Sequence, residues 1–108
     1  MEPDIRISDV VVSTAGHDQG ELFFCIGTDG NRVILVNGKD RPLEKPKRKN
    51  NKHVSKVLRA ETRVAAKISS GDKVLNSELR RELAEIGRNL ASHNQGGYNL
   101  GKGRRNRN

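Results

Sequence analysis

The residues most able to do chemistry in this sequence are eight cations concentrated near its middle. They fall within the nineteen positions 41–59, and positions 44–53 hold no apolar residue except Pro46. Lysine and arginine clusters neutralise phosphates and release their counterions, so this density predicts contact with a polyanion. His53 either donates a hydrogen bond to the same ligand or only faces water. The eight cations are Arg41, Lys45, Lys47, Arg48, Lys49, Lys52, Lys56 and Arg59.

The charge of the chain is polarised along its length. Residues 1–38 hold 2 basic and 6 acidic residues, 39–63 hold 10 and 3, and 64–108 hold 9 and 4, for a net charge of +8. Such asymmetry is typical of a protein with a surface that faces a nucleic acid. The alternative is that the basic residues form a solvated face that only keeps the protein in solution.

A second group of cations lies in the C-terminal tail. Residues 96–108 consist mainly of glycine, asparagine and arginine and have almost nothing to bury. We expect a disordered basic tail that becomes ordered on binding, with a solubilising tail as the alternative. Its basic residues are Lys102, Arg104, Arg105 and Arg107.

Patterns of catalytic and metal-binding residues are missing from the sequence. It has no Ser/His/Asp order, no phosphate-cradling glycine loop and no paired carboxylates in apolar surroundings. The single cysteine, Cys25, and three scattered histidines have no metal-ligand spacing. We therefore expect no enzyme, no metal, no cofactor and no small-molecule substrate. Cys25 lies between two apolar residues and is predicted to be a core residue.

Neither a membrane span nor a targeting segment can be recognised. No window contains the roughly 18 consecutive apolar residues that a span requires. The acidic start, Met1-Glu-Pro-Asp4, is not followed by an apolar run, as a signal peptide would be. We expect a soluble, cytoplasmic protein.

The first half of the chain predicts a small curled β-sheet. Residues 9–14, 21–26 and 32–36 are short runs of β-branched or other apolar residues. The last two runs are nearly continuous, which indicates strands buried on both faces and covered by a later part of the chain. Between them, Asp29-Gly30 favours a type I′ hairpin turn.

The connections of this sheet contain turn residues and one basic segment. Gly16 and Gly20 allow positive φ in a tight loop after the first strand. A proline restricts residues 39–43 to a short edge strand or a loop. Residues 44–53 repel one another, so we interpret them as a basic loop. Residues 54–58 are expected to close the sheet as a fifth strand.

The hydrophobic period changes to that of helices after residue 59. Residues 64–68 form one helical face that ends at Gly71. A longer amphipathic helix follows, with Asn76 or Ser77 as its N-cap and Gly96-Gly97 as its end. Its apolar stripe consists of Leu75, Leu79, Leu83, Ile86 and Leu90.

We expect this stripe to pack on the sheet and supply its missing cover, rather than to form a groove for a partner. Phe23 and Phe24 are adjacent in a strand, so their side chains point to opposite faces. One is predicted to fill the inside of the sheet and the other to meet the helix.

Residues 10–24 and the Asp-Gly hairpin resemble the KOW motif of SH3-like barrels. The Glu44-Lys-Pro-Lys-Arg-Lys49 block, Lys52-His-Val54 and the helix starting at Asn76-Ser-Glu extend this likeness over about residues 6–90. Over this span the chain resembles a small bacterial family of KOW-domain RNA-binding proteins. That family is similar to the SH3-like-barrel large-subunit ribosomal proteins of archaea and eukaryotes.

The resemblance implies a fold that is mostly β with a C-terminal α region. A five-stranded SH3-like barrel would occupy residues 1–59, one short and one longer helix residues 60–95, and the basic tail residues 96–108. Gly20 occupies the place of the motif glycine, with Gly16 as the earlier turn glycine. RNA-binding members often have Lys or Arg in this loop, where this chain has His17, Asp18, Gln19 and Glu21.

We therefore expect a non-catalytic protein that binds structured RNA through phosphates and is a monomer when free. By resemblance, that RNA is ribosomal. Two alternatives remain open. One is a protein-interaction KOW module that docks on the transcription or translation machinery. The other is DNA binding, for which the sequence offers no basic helix that would enter a groove.

Overall fold

The computed structural model describes residues 5–93, which form a five-stranded sheet followed by two helices. The prediction of a mostly β fold with a C-terminal α region is confirmed. The expected tail cations and the expected helix end at Gly96-Gly97 lie outside the described residues. The elements are β1 (Asp9–Ser13), β2 (Leu22–Asp29), β3 (Arg32–Val36), β4 (Lys47–Asn50), β5 (Val54–Arg59), α1 (Arg63–Ser70) and α2 (Asn76–His93), with one 3-10 turn, Asn51–His53, between β4 and β5.

The sheet is antiparallel and its strand order is β4-β3-β2-β1-β5. Its two outermost strands are therefore consecutive in the chain. The four residue-to-residue steps from Asn50 to Val54 span at most about 14 Å, whereas the outer strands of a flat five-stranded sheet lie about 19 Å apart. The sheet must curl for this connection to be made. The two edges nevertheless form no ladder with each other, so the sheet stays open.

Two irregularities in the ladders allow the curl. The register between β2 and β3 shifts between Cys25 and Gly27, and the register between β1 and β5 shifts between Val10 and Val11. An extra residue in one strand bends it and increases the local twist.

The apolar runs of β2 and β3 are buried on both faces of the sheet, as their continuous pattern predicted. Phe23 lies in an inner cluster with Val11, Cys25 and Leu35, and Cys25 is buried there as predicted. Phe24, one residue later, packs on the other face against the helices, as the alternation predicted. The residues of this second cluster are Val10, Phe24, Val36, Ala60, Val64, Ala65, Leu79, Leu83 and Ile86.

The first helix begins and ends as local chemistry predicts. The hydroxyl of Thr62 accepts a hydrogen bond from the backbone N–H of Ala65 at 3.1 Å, which satisfies a free donor of the first turn. Gly71 has a φ of +81° and caps the C-terminus.

The prediction that Asn76 or Ser77 caps the second helix is wrong. The side-chain oxygen of Asn76 accepts a hydrogen bond from Leu43 N at 2.8 Å, so it holds the loop before β4. At the helix start, Glu78 instead accepts from Leu75 N at 2.9 Å. Leu75 is 51% exposed and lies outside the buried part of the stripe. Neither helix of the described chain has both the length and the apolar character needed to cross a membrane.

The predicted type I′ turn at Asp29-Gly30 and the predicted basic loop at residues 44–53 are also wrong. The two loop residues of the β2–β3 hairpin are Gly30 and Asn31, because Asp29 pairs with Arg32. A type I′ turn needs positive φ at both loop residues, and of these two only Gly30 has it, at +64°. In addition, the segment predicted as a basic loop contains β4. Residues 39–43, for which a short edge strand or a loop was predicted, form no strand, so β4 is the fourth strand along the chain.

Candidate nucleic-acid interface

The loop between β1 and β2 is tightly ordered and turns one acidic side chain inward. Gly16 and Gly20 have φ of +90° and +93°, which confirms the predicted positive φ. Gly20 N donates to Ser13 O at 2.8 Å, which closes the loop at its base. As a result Asp18 is buried under the loop, while His17 and Gln19 are exposed at its tip.

Asp18 is the centre of a cluster that joins this loop to β4. Its Oδ1 accepts from the Ser13 hydroxyl at 2.7 Å and lies 3.1 Å from Lys49 Nζ. Its Oδ2 lies 2.9 Å from Lys47 Nζ. Lys49 also donates to Ala15 O at 2.8 Å, and only 10% of its side chain is exposed. We call Ser13, Asp18, Lys47 and Lys49 the Asp18 cluster.

The pKa of Asp18 shows how strongly the cluster holds a negative charge. Burial acts to raise this pKa, because a charged carboxylate loses solvation. Hydrogen bonds from Lys47, Ser13 and Lys49 outweigh burial and lower the pKa far below its ordinary value. Asp18 is therefore ionised throughout the neutral range and fixes two of the predicted phosphate-binding cations in place.

A second buried aspartate binds cations of the opposite edge strand. The Asp9 side chain is 1% exposed, and its Oδ2 accepts from Arg6 N at 2.8 Å. Lys56 Nζ lies 3.1 Å from Oδ2, and Arg59 Nε lies 3.9 Å from Oδ1. We call Asp9, Lys56 and Arg59 the Asp9 cluster. It links the start of β1 to the end of β5, with which β1 pairs.

The remaining predicted cations face solvent near β4. Arg48 alternates with the two lysines of the Asp18 cluster and points to the other face, where it pairs with Asp29 at 2.6 Å. Its side chain is still 54% exposed. Lys45 and Lys52 are exposed on either side of β4 and form no ion pair with any other residue between 5 and 93. We call Lys45, Arg48 and Lys52 the edge basic surface.

The last two predicted site residues take part in the loops that flank β4. The carbonyl of Arg41 accepts hydrogen bonds from Asn37 N and Gly38 N, at 2.8 and 3.1 Å, so Arg41 closes the loop after β3. His53 is exposed at the end of the 3-10 turn, and its carbonyl accepts from Thr14 N at 2.9 Å.

The structure thus gives different roles to the cations of residues 41–59, which their density in the sequence predicted to be one phosphate-binding group. Four of them complete clusters around buried aspartates, and three form the edge basic surface. Sequence reasoning missed Asp9, Asp18 and Ser13, which organise this division. A signal was available, because Asp9 and Ser13 directly flank the apolar run 10–12 and are therefore carried into the core with it.

No protein-family model and no curated protein sequence matches this chain. Within residues 5–93, no three His, Cys, Asp or Glu side chains are grouped so that they could hold a metal ion. The exposed basic residues around β4 form a candidate functional site.

Proposed function

We propose that this chain is a non-catalytic, cytoplasmic RNA-binding protein that contacts the phosphates of structured RNA, with ribosomal RNA as its target. The observation that supports this proposal most is the edge basic surface. Lys45, Arg48 and Lys52 stay exposed, although neighbouring lysines of the same segment are paired with the buried Asp18. Exposed lysine and arginine side chains along one strand edge suit a phosphate backbone. The chain is a monomer when free and requires no cofactor.

We further propose that the curled sheet is an SH3-like barrel of the KOW type. Three observations support this: the five-strand order, the outer strands joined through a 3-10 turn, and an inner cluster distinct from the helix-covered face. The motif glycines Gly16 and Gly20 both have the positive φ that a tight motif loop requires. The KOW likeness also carries the proposal that the RNA is ribosomal.

Recognition of backbone and shape fits this surface better than recognition of stacked single-stranded bases. Proteins that bind single strands present exposed aromatic rings to the bases. Here Phe23 and Phe24 are fully buried. Folded RNA, which presents phosphates and 2′-hydroxyls in fixed positions, is the ligand that such a surface can bind.

The test neutralises the edge basic surface without touching either aspartate cluster. The triple variant Lys45→Gln, Arg48→Gln, Lys52→Gln is titrated against a labelled RNA hairpin at several salt concentrations. The control triple, Lys73→Gln, Arg81→Gln, Arg88→Gln, removes the same charge from exposed positions at the second helix. We expect the first triple to reduce the slope of log K against log salt by about 2 to 3, and the control to change it much less.

Equal slopes for the two triples would contradict the proposed surface. Binding that barely responds between about 50 and 200 mM salt would point to the protein-interaction alternative. The ribosomal target is tested separately by sedimenting a lysate at low salt, with and without ribonuclease. We expect the protein to migrate with ribosomal particles, and its absence from them in both samples would refute the ribosomal target.

A further inference from the structure

A cleft of about 440 Å³ lies where the second helix crosses the start of β2 and the loop after β3. The cleft is shallow and open to solvent. Leu22, Leu83 and Ala84 provide its apolar surface. Lys39, Arg80 and Glu21 provide its charged groups.

The exposed Arg80 side chain lies at the edge of this cleft, where one hydrogen bond joins it to the loop after β3. Its Nη1 donates to the carbonyl of Gly38 at 2.5 Å. Gly38 has a φ of +77°, and a Cβ built there would lie 2.3 Å from the carbonyl oxygen of Asn76. The loop backbone and the helix start are therefore in direct contact. This contact holds the Gly38 carbonyl, which is the hydrogen-bond acceptor of Arg80, beside the helix.

These groups together suit a flat, polar, aromatic ring that is attached to a phosphate. An unstacked RNA base stacks on an arginine plane and packs its other side on apolar atoms. Lys39, exposed beside the cleft, is placed to meet a phosphate. Glu21 offers carboxyl oxygens to the hydrogen-bonding edge of a base, and burial, followed by the charges of Asp40 and Asp18, raises its pKa.

The cleft also adjoins the surface proposed to bind RNA. The loop after β3 carries Lys39 beside the cleft and continues to Lys45 of the edge basic surface, just before β4. The loop that carries Lys39 into the cleft is the loop that Arg41 closes through its carbonyl. An RNA bound at Lys45 therefore lies at one end of the loop whose other end carries Lys39 and lines the cleft.

We propose that this cleft holds one unpaired base of the bound RNA, between the Arg80 guanidinium and the apolar side chains of Leu22, Leu83 and Ala84. The inference rests on the proposed RNA binding and adds a preference to it. The protein selects structured RNA that carries a bulged or looped-out nucleotide over a fully paired helix.

The test fills the cleft without changing charge. Ala84→Leu adds bulk at an exposed position that lines the cleft, and Ala91→Leu makes the same change two turns further along the same exposed helix surface. Both variants are titrated against two labelled hairpins of equal length, one fully paired and one with a single-nucleotide bulge. Thermal melts of both variants, followed by circular dichroism, verify that they are folded.

We expect the parent protein and Ala91→Leu to prefer the bulged hairpin by about tenfold, which is within the range of a contact between a guanidinium and an aromatic ring. Ala84→Leu loses this preference but keeps its affinity for the paired hairpin. A 2-aminopurine placed at the bulge reports the environment of the base, and its fluorescence changes on binding of the parent but not of Ala84→Leu.

Equal affinity of the parent for both hairpins, or an unchanged preference in Ala84→Leu, overturns the base-binding inference while RNA binding itself stands. An unchanged preference in Ala84→Leu would instead favour the side chain of a partner protein as the occupant of the cleft. Failure of the parent to bind either hairpin overturns the proposed function together with the inference.

Discussion

The lysines and the arginine of β4 differ in role although they are adjacent in the chain. Lys47 and Lys49 face inward and hold Asp18, whereas Arg48 faces outward and pairs with the exposed Asp29. Strand alternation produces this difference, because successive side chains point to opposite faces. The number of cations in a segment therefore overstates its binding surface, since an inward cation is already occupied by the protein's own carboxylate.

The largest expected effect is on the free energy of unfolding, and it should distinguish the two aspartates that pair with β4. Asp18→Asn leaves two lysine side chains without their counterion in a mostly buried site, and we expect a loss of about 3 kcal/mol in the free energy of unfolding. Asp29→Asn removes an exposed partner and costs less than about 1 kcal/mol. Urea denaturation at neutral pH measures both. Similar losses in the two variants would mean that the Asp18 cluster is not buried in solution.

The next prediction concerns the stability of the protein at low pH. Because the folded state holds the pKa of Asp18 below its ordinary 3.8, the cluster stabilises the protein fully above that value and loses this contribution as the pH falls through and below it. Asparagine does not titrate. The difference in stability between the parent and Asp18→Asn should therefore shrink as the pH is lowered from 6 towards 2. A constant difference across this range would show that the carboxylate's charge is not what stabilises the loop.

The smallest effects are expected at the Asp9 cluster, whose two cations are held unequally. Lys56→Gln removes an ammonium group 3.1 Å from a buried carboxylate and should cost about 1 kcal/mol. Arg59 is 3.9 Å from the same carboxylate and half exposed, so Arg59→Gln should cost at most about 0.5 kcal/mol. Thermal melts of the two variants rank them. The reverse order would mean that the arginine is the main counterion of Asp9.

Sequence reasoning succeeded where local pattern determines structure. The opposite faces of Phe23 and Phe24, the buried turns of the apolar stripe at Leu79 and Leu83, and the positive φ of Gly16 each depend on neighbours a few residues away. Strand 54–58 was also predicted, and the structure extends it by one residue.

Sequence reasoning failed where the structure depends on residues far apart in the chain. A Lys-Arg-Lys-Asn segment has neither apolar content nor β propensity, so nothing local indicates a strand there. It becomes β4 because its backbone pairs with β3 and its lysines meet Asp18, about thirty residues earlier in the chain. The role of Asn76 was missed for the same reason, since its bond to Leu43 joins residues 33 positions apart.

The composition of β4 has a consequence for association between molecules. An outermost strand presents unpaired backbone groups, which in many sheets invite a second copy to add on. Here that strand is only four residues long and three of them are cations. A second copy pairing antiparallel in the register centred on Arg48 would place the two exposed Arg48 side chains opposite each other, which destabilises such a pair. The β4 edge of the sheet therefore disfavours pairing with a second copy.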